Sequence, residues 1–193
     1  MKKLLFITYI LLLLSCTNKH NPRFPIPSKP DIDGVVQAII LQDSLLIQNI
    51  PLSIDLRKLK IYHAKTKLPP PPHLHVVDIK HLLPSSYYKQ GFFNRKDSTY
   101  LIFQNNVLKS YILNKNSFGK LKFTTTAEQE KQGSTYEFAH YFDMSIPFFS
   151  LDQKKAYVQL DRICPRCGAG YIIILEKKNG NWRITNRTMT WIN

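Results

Sequence analysis

The chain has 193 residues and a formal net charge of +14, and without residues 1–15, which hold two lysines and no acidic residue, it keeps +12. Such a charge favours association with anionic surfaces such as lipid headgroups or acidic glycans. No block of consecutive Lys or Arg and no nucleic-acid-binding motif occurs, so nucleic acid is excluded as an expected partner. About 160 residues lie beyond residue 31, enough for one hydrophobic core, and predict a single domain.

The first predicted element is a secretory signal peptide over residues 1–15. Two lysines precede an apolar run from Leu4 to Leu14, and a small residue follows it. The run is shorter than the roughly 20 residues that a membrane-spanning helix requires. The segment is therefore expected to direct export and then to be removed.

The end of that run, Leu13-Leu14-Ser15-Cys16, resembles the lipobox of bacterial lipoproteins. The resemblance implies cleavage before Cys16, acylation of this residue (the palmitate-type modification), and attachment to a membrane through several acyl chains. Thr17 after the cysteine resembles a signal for the outer rather than the inner membrane. We therefore expect a lipid-anchored protein of the cell envelope, on the outer membrane and facing the periplasm.

Residues 16–30 form the predicted lipidated tether. Their proline-rich, polar composition favours extended chain without a core of its own. The domain is expected to span residues 31–193.

Helices are expected mainly in the first part of the domain. Apolar spacing predicts an amphipathic helix from about 32 to 47, and "TAEQEKQ" predicts a short helical turn. The four prolines at 69–72 favour a polyproline II segment. The 97–106 element has Asp97 as a helix N-cap but also strand-forming aromatic and β-branched residues, so its type stays open.

The C-terminal part is predicted to be an antiparallel meander of about four strands. Apolar and aromatic residues alternate from Tyr136 to Ile146, and three further strands follow in "AYVQLDRI", "YIIILEKK" and "WRITNRTMTWI". Asn179-Gly180 is a strong hairpin signal. With the helical segments covering one face of this sheet, the expected fold class is α+β.

The last 50 residues resemble the C-terminal module of a group of uncharacterised secreted bacterial lipoproteins. Their shared pattern is a Pro-x-Phe-Ser-x-Asp turn, a Cys-x-x-Cys-Gly-x-Gly loop, an Asn-Gly-x-Trp hairpin and a closing Trp-Ile-Asn. Phe148 and Gln153 depart from the Ile and Gly more common in that group. The resemblance supports the sheet and the envelope location and implies no chemistry. The matching positions are Pro147, Phe149, Ser150, Asp152, Cys164, Cys167, Gly168, Gly170, Asn179, Gly180, Trp182 and Trp191.

The loop Cys164-Pro-Arg-Cys167 admits three interpretations. A redox-active pair requires a helix after its first cysteine, whereas a strand follows here. A zinc site would need two more ligands, for which His73 and His75 are the best candidates. In an oxidising compartment the two cysteines are expected to form a disulfide at a hairpin tip, with no bound metal or cofactor, and Arg166 between them is a candidate contact residue.

The predicted function is a non-catalytic binding or interaction module, with an anionic glycan, a lipid or an envelope protein as partner. The sequence contains no nucleophile elbow, no His-Glu-x-x-His and no phosphate loop. One alternative is a metal-dependent or other hydrolase, and another is an inhibitor or immunity-type lipoprotein. The hydrolase would use dispersed residues, namely His63, His73, His75, Asp78 and His140.

Overall fold

The computed structural model describes residues 24–45, 48–63, 65, 75–84, 91–132 and 140–192. In this part of the chain the helices are α1 (Lys29–Gln42), α2 (Ile79–Leu82), α3 (Ser98–Val107) and α4 (Thr126–Gln132). The strands are β1 (Leu52–Ser53), β2 (Asp55–Leu56), β3 (Lys60–Tyr62), β4 (Val76–Asp78), β5 (Tyr111–Ile112), β6 (Phe123–Thr124), β7 (Tyr141–Met144), β8 (Phe148–Phe149), β9 (Lys155–Ile163), β10 (Ala169–Lys178) and β11 (Asn181–Ile192). The predicted α+β class is confirmed. No helix within the described ranges is long and apolar enough to cross a membrane.

The main sheet has the strand order β11-β10-β9-β7-β1-β6, and β8 also pairs with β9. β7, β9, β10 and β11 are antiparallel, which confirms the predicted C-terminal meander. β1 pairs in parallel with both β6 and β7, a mixed edge that the local sequence patterns did not predict. Two small pairs, β2 with β5 and β3 with β4, complete the described strands.

The long hairpin of β10 and β11 gives the sheet two distinct ends. Asn179 and Gly180 form its turn with φ of 51° and 81°, the left-handed values of a two-residue hairpin turn. At the opposite end, residues 164–168 connect β9 to β10. We call residues 176–183 the turn end and residues 164–168 the tip. The ten residues of β10 lie between the tip and the Asn179-Gly180 turn, which is about 30 Å at the rise of an extended strand.

Both faces of the sheet are packed. Ile173 and Leu175 of β10 lie in the larger hydrophobic core, and Ile172 and Ile174 between them lie in a second core on the other face. This alternation is the two-residue period of a strand. α1 contributes most to the first core, whereas β3, β4 and α2 contribute to the second.

α1 begins earlier and ends earlier than the predicted helix over 32–47. Ser28 is its N-cap and accepts a hydrogen bond from the Asp31 backbone N–H, and the helix ends at Gln42. A hydroxyl at the N-cap satisfies one of the unpaired N–H groups of the first turn, which explains the earlier start. Residues 46 and 47 of the predicted helix lie outside the described residues.

The 97–106 element is a helix, α3, and not a strand. Asp97 does not cap it with its side chain. Its carboxylate instead accepts the backbone N–H groups of Asn94 at 2.8 Å and of Leu151 at 2.9 Å. The same residue therefore shapes the turn before α3 and ties it to the loop between β8 and β9.

Two glutamines attach helices to the sheet as an extra strand would. The Gln104 amide of α3 donates to the Phe149 carbonyl at 2.8 Å and accepts from the Phe149 N–H at 3.0 Å. Gln42, at the end of α1, donates to the Trp182 carbonyl at 3.0 Å and accepts from the Ile184 N–H at 2.9 Å. A side-chain amide offers the same donor and acceptor as a peptide group, so both pairs continue the backbone ladder.

The packed part of the chain reaches back to Phe24. Its ring lies 5.5 Å from the ring of Tyr100 and 5.4 Å from that of Phe103, measured between centroids. The Tyr100 hydroxyl donates to the Pro25 carbonyl at 2.8 Å. Residues 24–30, assigned to the tether from composition, therefore lie against the domain.

Candidate functional site

The tip is closed by a disulfide between Cys164 and Cys167, whose Cα atoms lie 5.4 Å apart. Cys164 is nearly buried, whereas Pro165, Arg166 and Cys167 are exposed. The structure therefore has the predicted disulfide, and it presents the predicted contact residue Arg166 to solvent at the end of two long strands.

Neither Gly168 nor Gly170 has a positive φ, so the loop does not need glycine there for its backbone conformation. They provide space instead. A Cβ at Gly168 would lie 2.8 Å from the Trp191 ring, and a Cβ at Gly170 would overlap the indole nitrogen of the same side chain. The two glycines thus form the seat of Trp191.

Trp182 and Trp191 lie on opposite faces of the sheet, as their odd spacing predicts. Trp182 is buried in the larger core beneath α1, where its ring contacts the position of Gly34. Trp191 pairs in register with Gly170 on the other face and is half-buried. Only the second indole is therefore available near the tip.

Four register positions form a row across the sheet on that face. Asp143 of β7 is opposite Asp161 of β9, Asp161 is opposite Gly170 of β10, and Gly170 is opposite Trp191 of β11. Since Gly170 has no side chain, the Trp191 Nε1–H reaches Asp161 Oδ1 at 2.9 Å. We call these four positions the acidic row.

Asp143 and Asp161, the two neighbouring carboxylates of the acidic row, are 1% and 2% exposed, and Asp143 is paired with two side chains. Arg57 Nε lies 3.1 Å and His75 Nε2 lies 2.9 Å from the same oxygen of Asp143, Oδ2. Like charges that face each other across strands are unfavourable, so these partners make the arrangement tolerable. Asp143 Oδ1 and His75 Nδ1 have no hydrogen-bond partner among the described residues.

Two further buried polar residues, Tyr157 and Gln159, lie on β9 near Asp161 of the acidic row. Gln159 donates to the Val76 carbonyl at 3.2 Å and to the Tyr157 hydroxyl at 3.4 Å. Burial raises the pKa of Tyr157, and nearby Asp161 acts in the same direction, although the Gln159 hydrogen bond opposes it. The phenol is therefore a neutral structural group at physiological pH.

His140 lies at the start of β7, where Arg162 Nε donates to its Nε2 at 3.0 Å. Burial lowers the pKa of His140, and the Arg162 guanidinium lowers it further. The imidazole is consequently held neutral, with Nε2 as an acceptor.

The described contacts do not bring the dispersed histidine and aspartate candidates to one centre. His75 contacts Asp143, His140 contacts Arg162, and Asp78 caps α2 by accepting the Lys80 N–H at 2.7 Å. His63 follows β3, and His73 lies outside the described residues.

The zinc alternative receives no support from the described positions. Both sulfurs of the candidate Cys164, Cys167, His73 and His75 set are in the disulfide, and His75 faces Asp143. In the described part of the chain no group of three or more His, Cys, Asp or Glu side chains could hold a metal ion.

The acidic row was not found from the sequence. Asp143 and Asp161 are visible as polar residues on predicted strands, but only the register of β7 against β9 places them opposite each other. Comparison of the chain with protein-family models, with curated proteins and with solved structures gives no match.

Proposed function

We propose that this protein is a membrane-anchored lipoprotein of the cell envelope and that its domain is a non-catalytic binding module. The anchor is the lipidated Cys16, which the lipobox-like sequence supports, on the outer membrane and facing the periplasm. The contact surface is the disulfide tip together with the adjoining end of β11.

The tip and the end of β11 together present exposed side chains of the kinds found in protein interfaces. The exposed residues Pro165 and Arg166 lie beside the end of β11, where Met189 is 54% and Ile192 is 75% exposed. Ile192 pairs in register with Ala169, immediately after the tip. Arg, Met and aromatic residues are enriched in protein interfaces, and the nearby Trp191 adds a half-buried indole.

The tip surface is also rigid, which favours a binding role. The disulfide constrains the loop, and behind it β9 and β10 are paired from Arg162 and Ala169 to Lys155 and Glu176. A preorganised surface loses little conformational entropy when a partner binds. With Arg166 at its apex and a basic chain behind it, the surface suits an anionic partner, either an envelope protein or a glycan.

Site-specific crosslinking in the native cell tests this proposal. A photoreactive residue at Met189, which is exposed beside the tip, should capture a defined envelope partner, and the same residue at Lys120, exposed in the turn before β6, should not. An Arg166→Glu variant should weaken that capture at least tenfold. Equal capture from both positions, or capture unaffected by the charge change, would contradict the assignment of the tip as the contact surface.

A second candidate function is a hydrolase, which the His75–Asp143 pair favours. A carboxylate bound to one ring nitrogen orients an imidazole so that the other nitrogen can act as a base. Here Asp143 holds Nε2 and leaves Nδ1 without a described partner. Hydrolysis of envelope ester or amide substrates that is lost in His75→Gln, with the fold intact by circular dichroism, would establish this candidate.

A further inference from the structure

The tether joins the domain at the end that also carries the hairpin turn. Tyr100, which holds Phe24 and Pro25, is buried, and burial raises its pKa to about 12 despite a hydrogen bond from Gln153 in the turn before β9. Asp31, in the first turn of α1, lies 3.0 Å from Lys177 at the turn end. Phe24, the start of α1 and the turn end are therefore neighbours, and the tip lies at the far end of the strands.

Short chain length keeps this end close to the anchor. Seven residues, 17–23, lie between Cys16 and Phe24. Seven residues span at most about 25 Å even when fully extended. If Cys16 carries the lipid, as the proposed function requires, Phe24 stays within about that distance of the headgroups, and the turn end is held close to the same membrane.

Cations outnumber carboxylates at this end among the described residues. The cations at the start of α1, beside Asp152 and beside Glu176 form a set that we call the basic end: Lys29, Lys96, Lys154, Lys177, Lys178 and Arg183. All of them except the half-buried Lys177 are exposed.

The neighbouring carboxylates Glu176 and Asp152 already have hydrogen-bond or ion-pair partners. Glu176 faces Lys155 on β9 and Arg183 on β11 in register, and it also pairs with Lys178 at 3.6 Å. Asp152 accepts hydrogen bonds from the Ser150 hydroxyl and the Lys154 backbone N–H. The six cations of the basic end outnumber the four neighbouring carboxylates that the structure describes, Asp31, Asp33, Asp152 and Glu176, so the surface presents an excess of positive charge.

We propose that the basic end is a membrane-docking surface for anionic phospholipid headgroups in the leaflet that holds the anchor. Lys and Arg near an anionic bilayer are attracted within a Debye length, about 8 to 10 Å at physiological salt. The tether keeps the basic end close enough to the headgroups for this attraction to act. The attraction between the basic end and the anionic headgroups then fixes the orientation of the domain on the membrane. Docking in this way places the tip about 30 Å further from the headgroups, where a periplasmic partner can reach it.

A vesicle-binding experiment without the lipid tests the surface independently of the anchor. The chain 16–193 with Cys16→Ser should sediment with vesicles of phosphatidylcholine containing about 30 mol% phosphatidylglycerol, but not with vesicles of phosphatidylcholine alone. Only the first vesicles carry the negative charge that attracts Lys and Arg side chains. Half-molar salt should release it. Lys154→Glu with Lys178→Glu should weaken binding at least tenfold.

The matched control changes the net charge equally at other places. Lys120→Glu with Lys122→Glu, both exposed in the segment before β6, should leave vesicle binding within about twofold, because neither residue belongs to the basic end. Loss of binding in the control with retention in the basic-end variant would overturn the proposal. Binding to heparin with none to the phosphatidylglycerol vesicles would assign the surface to a soluble anionic ligand and would also overturn it.

Orientation is measured separately in the lipidated protein. A fluorophore at Asn179→Cys should be quenched by brominated lipids in phosphatidylglycerol-containing vesicles, and one at Met189→Cys should not. The reverse pattern would refute docking through the basic end. Mass analysis of the anchor distinguishes failure at Cys16 from failure of this surface, because the vesicle experiment uses the chain without lipid.

Discussion

The indole of Trp191 occupies the space where a side chain at Gly170 would stand. The same indole also packs against Gly168 of the tip and donates its N–H to Asp161, so Trp191 links the tip to the acidic row. We expect Gly170→Ala to displace Trp191 and to lower the free energy of unfolding by about 1 to 3 kcal/mol, the usual range for overpacking. Urea denaturation followed by tryptophan fluorescence measures this loss.

A double-mutant cycle distinguishes the steric overlap of a Cβ at position 170 with the Trp191 ring from the general backbone effect of replacing glycine by alanine. In a Trp191→Ala background the Gly170→Ala change should cost much less, since no ring is left to overlap, and the two changes should be non-additive by about 1 kcal/mol or more. Equal costs in both backgrounds would show that Gly170 does not serve as a seat.

The hydrogen bonds that Gln104 and Gln42 make with strand backbone should contribute differently to the free energy of unfolding. Gln104→Ala leaves the buried N–H and C=O of Phe149 unpaired and should cost about 2 to 3 kcal/mol. Gln42→Ala should cost about 1 kcal/mol or less, because Gln42 is exposed and water can replace its amide at the edge of β11. Thermal or urea unfolding of both variants checks the order, and a larger loss for Gln42→Ala would contradict it.

The disulfide is expected to shape the tip more than it stabilises the domain. It closes a very short loop, so replacing Cys164 and Cys167 by Ser should cost only about 1 to 2 kcal/mol. Protein isolated from the envelope should show no free thiol at these positions before reduction. Stoichiometric zinc, lost together with folding in the double variant, would contradict the disulfide interpretation.

His140 should make stability depend on pH. Burial and Arg162 lower its pKa in the folded chain, whereas the unfolded chain keeps a value near 6.5. The unfolded state therefore binds the proton more readily, and stability is lost as the pH falls below about 6.5 through the folded pKa. The difference in unfolding free energy between wild type and His140→Gln should narrow from pH 8 to pH 5, and a difference independent of pH would refute this role.

The C-terminal sheet could be predicted because strand alternation and hairpin turns both depend on residues that are adjacent in the sequence. The Asn179-Gly180 turn and the alternation along β10 are examples. Gln153, in the turn before β9, has φ of 54°, a value that glycine adopts without strain.

Features that depend on long-range pairing could not be read in the same way. The partnership of Asp143 with Asp161 follows from strand register, and that of His75 with Asp143 joins distant segments. The parallel strands beside β7 contain two residues each, too few to show a period. For α3, tertiary anchoring of Gln104 on Phe149 favours a helix where the residue propensities were divided.

Mass analysis of protein extracted from the membranes of the native cell tests lipidation at Cys16. We expect a chain that begins at Cys16 and carries acyl groups, and a Cys16→Ser variant that leaves the membrane fraction when the salt concentration is raised. A mature chain without acyl mass, or a Cys16→Ser variant that stays bound to the membrane at high salt, would contradict the claim that this protein is a lipid-anchored module of the envelope.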